Sequence, residues 1–133
     1  MCAKSILLVF GIILGLSHLS LSQDWATFQR KHITDKSNIN CNNSMVGNLF
    51  LIRGQCKPIN TFIYSTAATV QDICRGEQGP KNVASSRSFK LTDCIRTSDR
   101  GPPCPYRSDS QDNVICVTCQ RTRPVHFVKK GRC

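Results

Sequence analysis

Residues 56–62 read Cys56-Lys57-Pro58-Ile59-Asn60-Thr61-Phe62. If Cys56 is cross-linked, Lys57 stands beside a fixed point of the chain. The end of the stretch opens Thr61-Phe62-Ile63, a β-branched and aromatic run that predicts a strand. Cross-linking depends on the compartment the chain reaches, and that is written at its start.

Lys4 is followed by an apolar run from Ile6 to Leu16 and then by Ser20-Leu21-Ser22. This order predicts a secretory signal peptide over residues 1–22, cleaved after Ser22. The run is short of the ~20 apolar residues a membrane-spanning helix needs. No later segment is apolar enough to span, so the expected product is one secreted, soluble domain over residues 23–133. Cys2 leaves with the signal, and nine cysteines become eight: Cys41, Cys56, Cys74, Cys94, Cys104, Cys116, Cys119 and Cys133. A domain this small buries only about two-thirds of its unfolded surface, and secreted chains of the size supplement the core with disulfides. Eight cysteines predict four bridges, though spacing alone leaves roughly a hundred pairings open. Cys116-Val117-Thr118-Cys119 also has redox or zinc spacing, but no second CxxC accompanies it and an oxidising compartment favours structural pairing.

The whole chain carries a formal charge of +10, which becomes +9 once Lys4 is removed. Its basic residues are spread from Arg30 to Arg132 rather than gathered in a tail. Spread charge serves solubility; it also suits a polyanion such as nucleic acid, an anionic membrane or a glycan. Charge alone does not choose among these.

Asp24 is placed to cap a helix over Trp25 to His32, with Trp25, Phe28 and His32 on one face. A second helix is expected from after Asn40 to about Asn48, and a third, capped by Ser65, through Ile73 to near Gly76. Strands are expected at Thr61-Phe62-Ile63, Arg87 to Ile95, Asn113 to Gln120 and Val125 to Val128. Gly79-Pro80 and Gly101-Pro102-Pro103 mark turns. Helices early and strands late predict an α+β domain around an antiparallel sheet. Asn42-Asn43-Ser44 is a sequon, which makes Asn42 a candidate glycosylation site.

Two histidines remain after the signal, His32 and His126. Either alone is most simply a structural or surface residue. Together, and with Lys57 tethered at Cys56, they suit one phosphate. Two imidazoles with pKa near about 6.5 can hold one neutral and one protonated member, so that one removes a proton while the other donates.

These residues resemble the pancreatic-type ribonucleases. The motifs that carry the resemblance are Phe28-Gln29-Arg30-Lys31-His32, Cys56 to Phe62, and Pro124-Val125-His126-Phe127, together with the cysteine spacing over residues 23–133. Gln23-Asp24-Trp25 and the C-terminal Cys133 are similar to the amphibian, ranpirnase-like branch. The resemblance implies a bent antiparallel sheet with three short helices. It implies the bridges Cys41–Cys94, Cys56–Cys104, Cys74–Cys119 and Cys116–Cys133. It also implies His32 as general base, His126 as general acid and Lys57 as stabiliser of the transition state. Cleavage would proceed by transphosphorylation to a 2′,3′-cyclic phosphate, without metal or cofactor, since the nucleophile belongs to the substrate. Thr61, Asp93 and Phe127 would form a pyrimidine pocket, and Lys31 would contact phosphate beside a Gln23 cyclised to pyroglutamate. Gln120 stands where several amphibian relatives have Glu, which puts a guanine preference at the second base in doubt.

The expected function is thus a secreted, monomeric, pyrimidine-preferring endoribonuclease acting on single-stranded RNA. The second reading is a cationic host-defence or cytotoxic protein that acts through charge on anionic cell surfaces or sialylated glycans. Arg121, Arg123, Lys129 and Lys130 are candidates for further phosphate contacts, with solvated surface charge the simpler role for each.

Overall fold

The structure is a computed structural model describing residues 24–133. The signal segment 1–22 and Gln23 lie outside the described residues. The first helix, α1, spans Trp25–His32, and Asp24 Oδ1 accepts the Thr27 N–H at 2.7 Å. That bond holds the Asp24 carboxyl below its usual pKa. Arg30, Lys31 and His32 occupy the last turn, where cations favour the helix dipole. Phe28 and His32 are its buried face. The chain leaves α1 directly into β1 (Ile33–Thr34), which runs parallel to β4 (Ile59–Tyr64).

The second helix is shorter than expected. Asn40 caps α2 through bonds to the Asn42 and Asn43 N–H groups, but α2 covers only Cys41–Ser44 before Gly47 turns the chain at φ 91° into a single 3₁₀ turn, Asn48–Phe50. Asn, Asn and Ser are weak helix formers, so little opposes this early stop. Strands β2 (Leu51–Ile52) and β3 (Gln55–Cys56) form a hairpin about Arg53 and Gly54, both at positive φ. In α3 (Ala67–Gln71) the cap is Thr66, whose hydroxyl accepts from the Thr69 N–H; Ser65 instead donates to the Thr66 carbonyl. A 3₁₀ turn, Asp72–Cys74, finishes that segment.

The later strands are β5 (Lys81–Ala84), β6 (Phe89–Arg96), β7 (Tyr106–Asn113), β8 (Ile115–Gln120) and β9 (Arg123–Lys130). One sheet has the order β1-β4-β6-β7, and a second has β5-β8-β9. All these pairs are antiparallel except β1 with β4. The molecule is α+β, with three α-helices among the described residues.

Strand β7, Tyr-Arg-Ser-Asp-Ser-Gln-Asp-Asn, is not predicted by its residues. It has no apolar alternation because it forms one edge of its sheet with most side chains exposed, held by eight-residue register with β6. Alternation along β4 sends Ile63 into one core, with Phe28, Val70, Leu91 and Val117, and Phe62 into another, with Phe50, Tyr106 and the half-cystines 41, 56, 94 and 104. Thr61 shares the Ile63 face, which turns it toward α1.

The bridges are Cys41–Cys94, Cys56–Cys104, Cys74–Cys119 and Cys116–Cys133, with sequence separations of 53, 48, 45 and 17. Loop-closure entropy makes the longest loop the largest constraint on the unfolded chain. Replacing Cys41 and Cys94 by Ala should therefore lower unfolding free energy by about 1 kcal/mol more than replacing Cys116 and Cys133. Urea titration of the two double variants measures the difference, and equal losses would contradict it.

Candidate active site

Three separated segments meet around a cleft of about 590 Å³. Its walls include Lys31 and His32 from α1, Lys57, Asn60 and Thr61 at β4, and His126, Phe127 and Lys130 from β9. His32 is 7 % exposed. Its ring lies against Phe28 at 5.1 Å and stacks on Phe127 at 5.2 Å between centroids. Nδ1 lies 2.8 Å from the Thr61 carbonyl oxygen, which can only accept, so Nδ1 carries the hydrogen. In the neutral ring Nε2 is then left with a lone pair.

Burial pushes the His32 pKa down to about 3; the Thr61 bond opposes the shift, and the positive charges of Lys57, Lys31 and His126 add to it. His126 is also lowered, first by desolvation and then by Lys57 and Lys31. The sequence predicts two histidines near their ordinary values; packing and neighbouring cations depress both.

Lys57 is fixed on several sides. Its backbone N–H donates to Phe50 O at 2.8 Å and its carbonyl accepts the Tyr106 hydroxyl at 2.7 Å. Cys56, one residue earlier, is bridged to Cys104, and its carbonyl accepts from the Arg96 guanidinium. Lys57 Nζ donates to Asn60 Oδ1 at 2.9 Å, while Asn60 Nδ2 donates to the Lys31 carbonyl at 2.8 Å. Burial lowers the Lys57 pKa, with a smaller contribution from Lys31. Buried Asn60 thereby links α1 to the lysine. Asn60 stands inside the Cys56–Phe62 motif, but nothing local marks it, and Tyr106 and Arg96 carry no signal in the sequence.

A sequence model of pancreatic ribonuclease matches residues 23–128. The chain belongs to the pancreatic ribonuclease family. It is 57% identical over 133 residues to the oocytes ribonuclease of Aquarana catesbeiana, covering 100% of this chain and 99% of that one. It is 47% identical over 111 residues to protein P-30 of Lithobates pipiens, covering 84% of this chain and 100% of the relative. Among solved structures it is similar to a cytotoxic ribonuclease of Rana catesbeiana complexed with d(ApCpGpA) and (2′,5′CpG), at TM-score 0.74 and 40% identity over 83% of this chain and 98% of that one. It is likewise similar to amphinase, a cytotoxic ribonuclease from Rana pipiens oocytes, at TM-score 0.72 and 43% identity over 82% and 98%. The chain falls in the amphibian, ranpirnase-like branch and is a ribonuclease, an RNA-binding endonuclease.

The remaining candidates separate within this ribonuclease. Thr61 Oγ1 donates to Asp93 Oδ1 at 2.6 Å, and Asp93 Oδ2 is ion-paired with Lys130. Lys130 is therefore committed to an internal ion pair while its side chain stays partly exposed, and Lys129 is exposed at the cleft wall. Arg121 sits in the β8–β9 turn, whose backbone is bonded to Gln78 and Glu77, and neither it nor Arg123 lines the cleft. Gln120 is exposed at the end of β8, opposite Arg123. Asn42 is exposed, with its Oδ1 accepting the Tyr106 N–H at 2.9 Å.

The buried imidazole makes stability depend on pH. The folded pKa of about 3 lies below the ordinary 6.5, so between these values the unfolded chain holds a proton that the folded chain lacks. His32 thus costs stability as pH falls through that window and nothing above it. Unfolding free energy measured from pH 7 to 3 should fall less steeply in His32→Ala than in the native protein, by up to about 1.4 kcal/mol per pH unit. Parallel curves would show that His32 protonates without unfolding cost.

Proposed function

We propose that residues 1–22 direct secretion and that residues 23–133 form an endoribonuclease cutting RNA after pyrimidines by two-histidine transphosphorylation. Neutral His32 takes the proton of the ribose 2′-hydroxyl through Nε2. The 2′-oxygen attacks phosphorus, the bond to the 5′-oxygen breaks, and His126 gives that oxygen its proton. The products are a 2′,3′-cyclic phosphate and a free 5′-hydroxyl. Water later opens the ring with the histidine roles exchanged. Lys57 offsets the charge that builds on the phosphoryl oxygens. DNA lacks the attacking hydroxyl.

The observation that carries this reading is the His32 Nδ1 bond to the Thr61 carbonyl, made on a cleft that also holds Lys57 and His126. It fixes the tautomer a general base requires. The pocket for the pyrimidine is drawn from Thr61, Asp93 and Phe127, with Lys31 toward phosphate. Two solved relatives are described as cytotoxic, and the same activity is inferred for this chain as a consequence of RNA cleavage. Killing that survives His32→Ala would favour action through charge instead.

The reaction rate tests the assignment. His32→Ala and His126→Ala should each lower kcat by about 10²–10⁴-fold, and Lys57→Ala by about 10²–10³-fold. For the free enzyme, kcat/KM needs His32 neutral, met above about pH 3, and His126 protonated, met below a pKa that itself lies under 6.5. Its bell should therefore peak on the acid side of that value. Bound phosphate counters Lys57 and Lys31, raises both pKa values and moves the kcat profile to higher pH. Dinucleotide cleavage with EDTA present reads both profiles; full activity in His126→Ala would remove the general acid from the scheme.

A further inference from the structure

Lys130 enters the cleft wall from β9, four residues after His126. Asp93 is 2 % exposed and has both carboxylate oxygens committed: Oδ1 to the Thr61 hydroxyl and Oδ2 to the Lys130 ammonium. Its register partner on β7, Asp109, is exposed, and Thr61 on β4 is neutral, so Lys130 is the cation that compensates the buried charge. The other ion pairs among the described residues, Arg75–Asp72 and Lys81–Glu77, lie at the surface.

We propose that Lys130 is a positioning residue for the choice of first base: it holds Asp93 so that Thr61 faces the cleft as an acceptor, and uracil is cut in preference to cytosine. This rests on the pyrimidine pocket described above. An ionised carboxylate only accepts hydrogen bonds. The Thr61 hydroxyl gives its hydrogen to Asp93 and presents lone pairs to the base. Uracil N3 carries a hydrogen and matches that oxygen, whereas cytosine N3 carries a lone pair and does not. To meet cytosine the hydroxyl must turn away from Asp93, leaving a buried charged oxygen one bond short. Without Lys130, Asp93 Oδ2 loses its partner and the carboxylate is no longer held in the orientation that takes the Thr61 hydrogen. The threonine hydroxyl can then turn that hydrogen toward cytosine.

The measurement is the ratio of kcat/KM for UpA to that for CpA on one enzyme sample, in which losses of folded protein cancel. The native ribonuclease should favour UpA by about tenfold. Lys130→Met should bring the ratio toward one, Lys130→Arg should keep it near the native value, and Asp93→Asn should collapse it as Lys130→Met does. An unchanged ratio in Lys130→Met beside a collapsed one in Asp93→Asn overturns the role of Lys130 and leaves the pocket standing. A native enzyme that favours CpA overturns the proposal directly. Cleavage of ApA as fast as UpA removes the pocket and the proposal with it.

Discussion

The hydrogen bond between His32 and the Thr61 carbonyl joins the helical start of the chain to the sheet, and the site is built around that joint. Strand β4 does three things within two residues. The Thr61 carbonyl orients an imidazole, the Thr61 hydroxyl reaches Asp93, and Asn60 reaches both Lys57 and the end of α1. A ring so placed is dry on its flanks, because Phe28 and Phe127 cover it. Dryness keeps the ring neutral; the hydrogen bond determines which nitrogen keeps its lone pair.

Among the described residues, positive charge is concentrated at a cleft whose lining holds no carboxylate. Lys31 and Lys57 share the cleft with His126, and Asp93, which accepts from the Thr61 hydroxyl, is already paired with Lys130. Lys57 is held by the neutral amide of Asn60. A carboxylate in that place would bind the lysine more strongly and would also cancel the charge an incoming phosphate must meet. An amide dipole positions the ammonium and leaves its charge in force. Burial depresses the pKa values of His126 and Lys57, and that uncompensated field adds to the shift.

Sequence patterns are legible where one local rule suffices. Asp24, and Phe28 with His32 one turn apart, mark α1 at its observed bounds, and β-branched runs mark the cores of β4, β6, β8 and β9. Strand β7 is silent because pairing to β6, and not its own residues, makes it a strand. In the site, the motifs point to His32, Lys57 and His126, but nothing local says that His32 is buried or that Asn60 is the bracket between them. Lys129 and Lys130 look alike in sequence. Their difference, one exposed and one paired across the fold, arises from strand alternation and from where Asp93 happens to lie.

The cross-links explain why a domain of this size holds so precarious a cluster of charge. Asp93 is followed by Cys94 on β6, and Thr118, in register with His126, is followed by Cys119 on β8. Adjacent strand residues point to opposite faces, so each bridge lies behind the sheet from the polar side chain it steadies. Lys57 is likewise one residue from Cys56. His32 is the exception. From residue 24 to Asn40 the chain has no cysteine, and α1 is held by Phe28, by the short β1 pairing and by the His32 bond itself. His32 thus rides on a wall of the cleft whose nearest cysteine along the chain is Cys41, and its buried ring is one of the contacts that keep that wall in place.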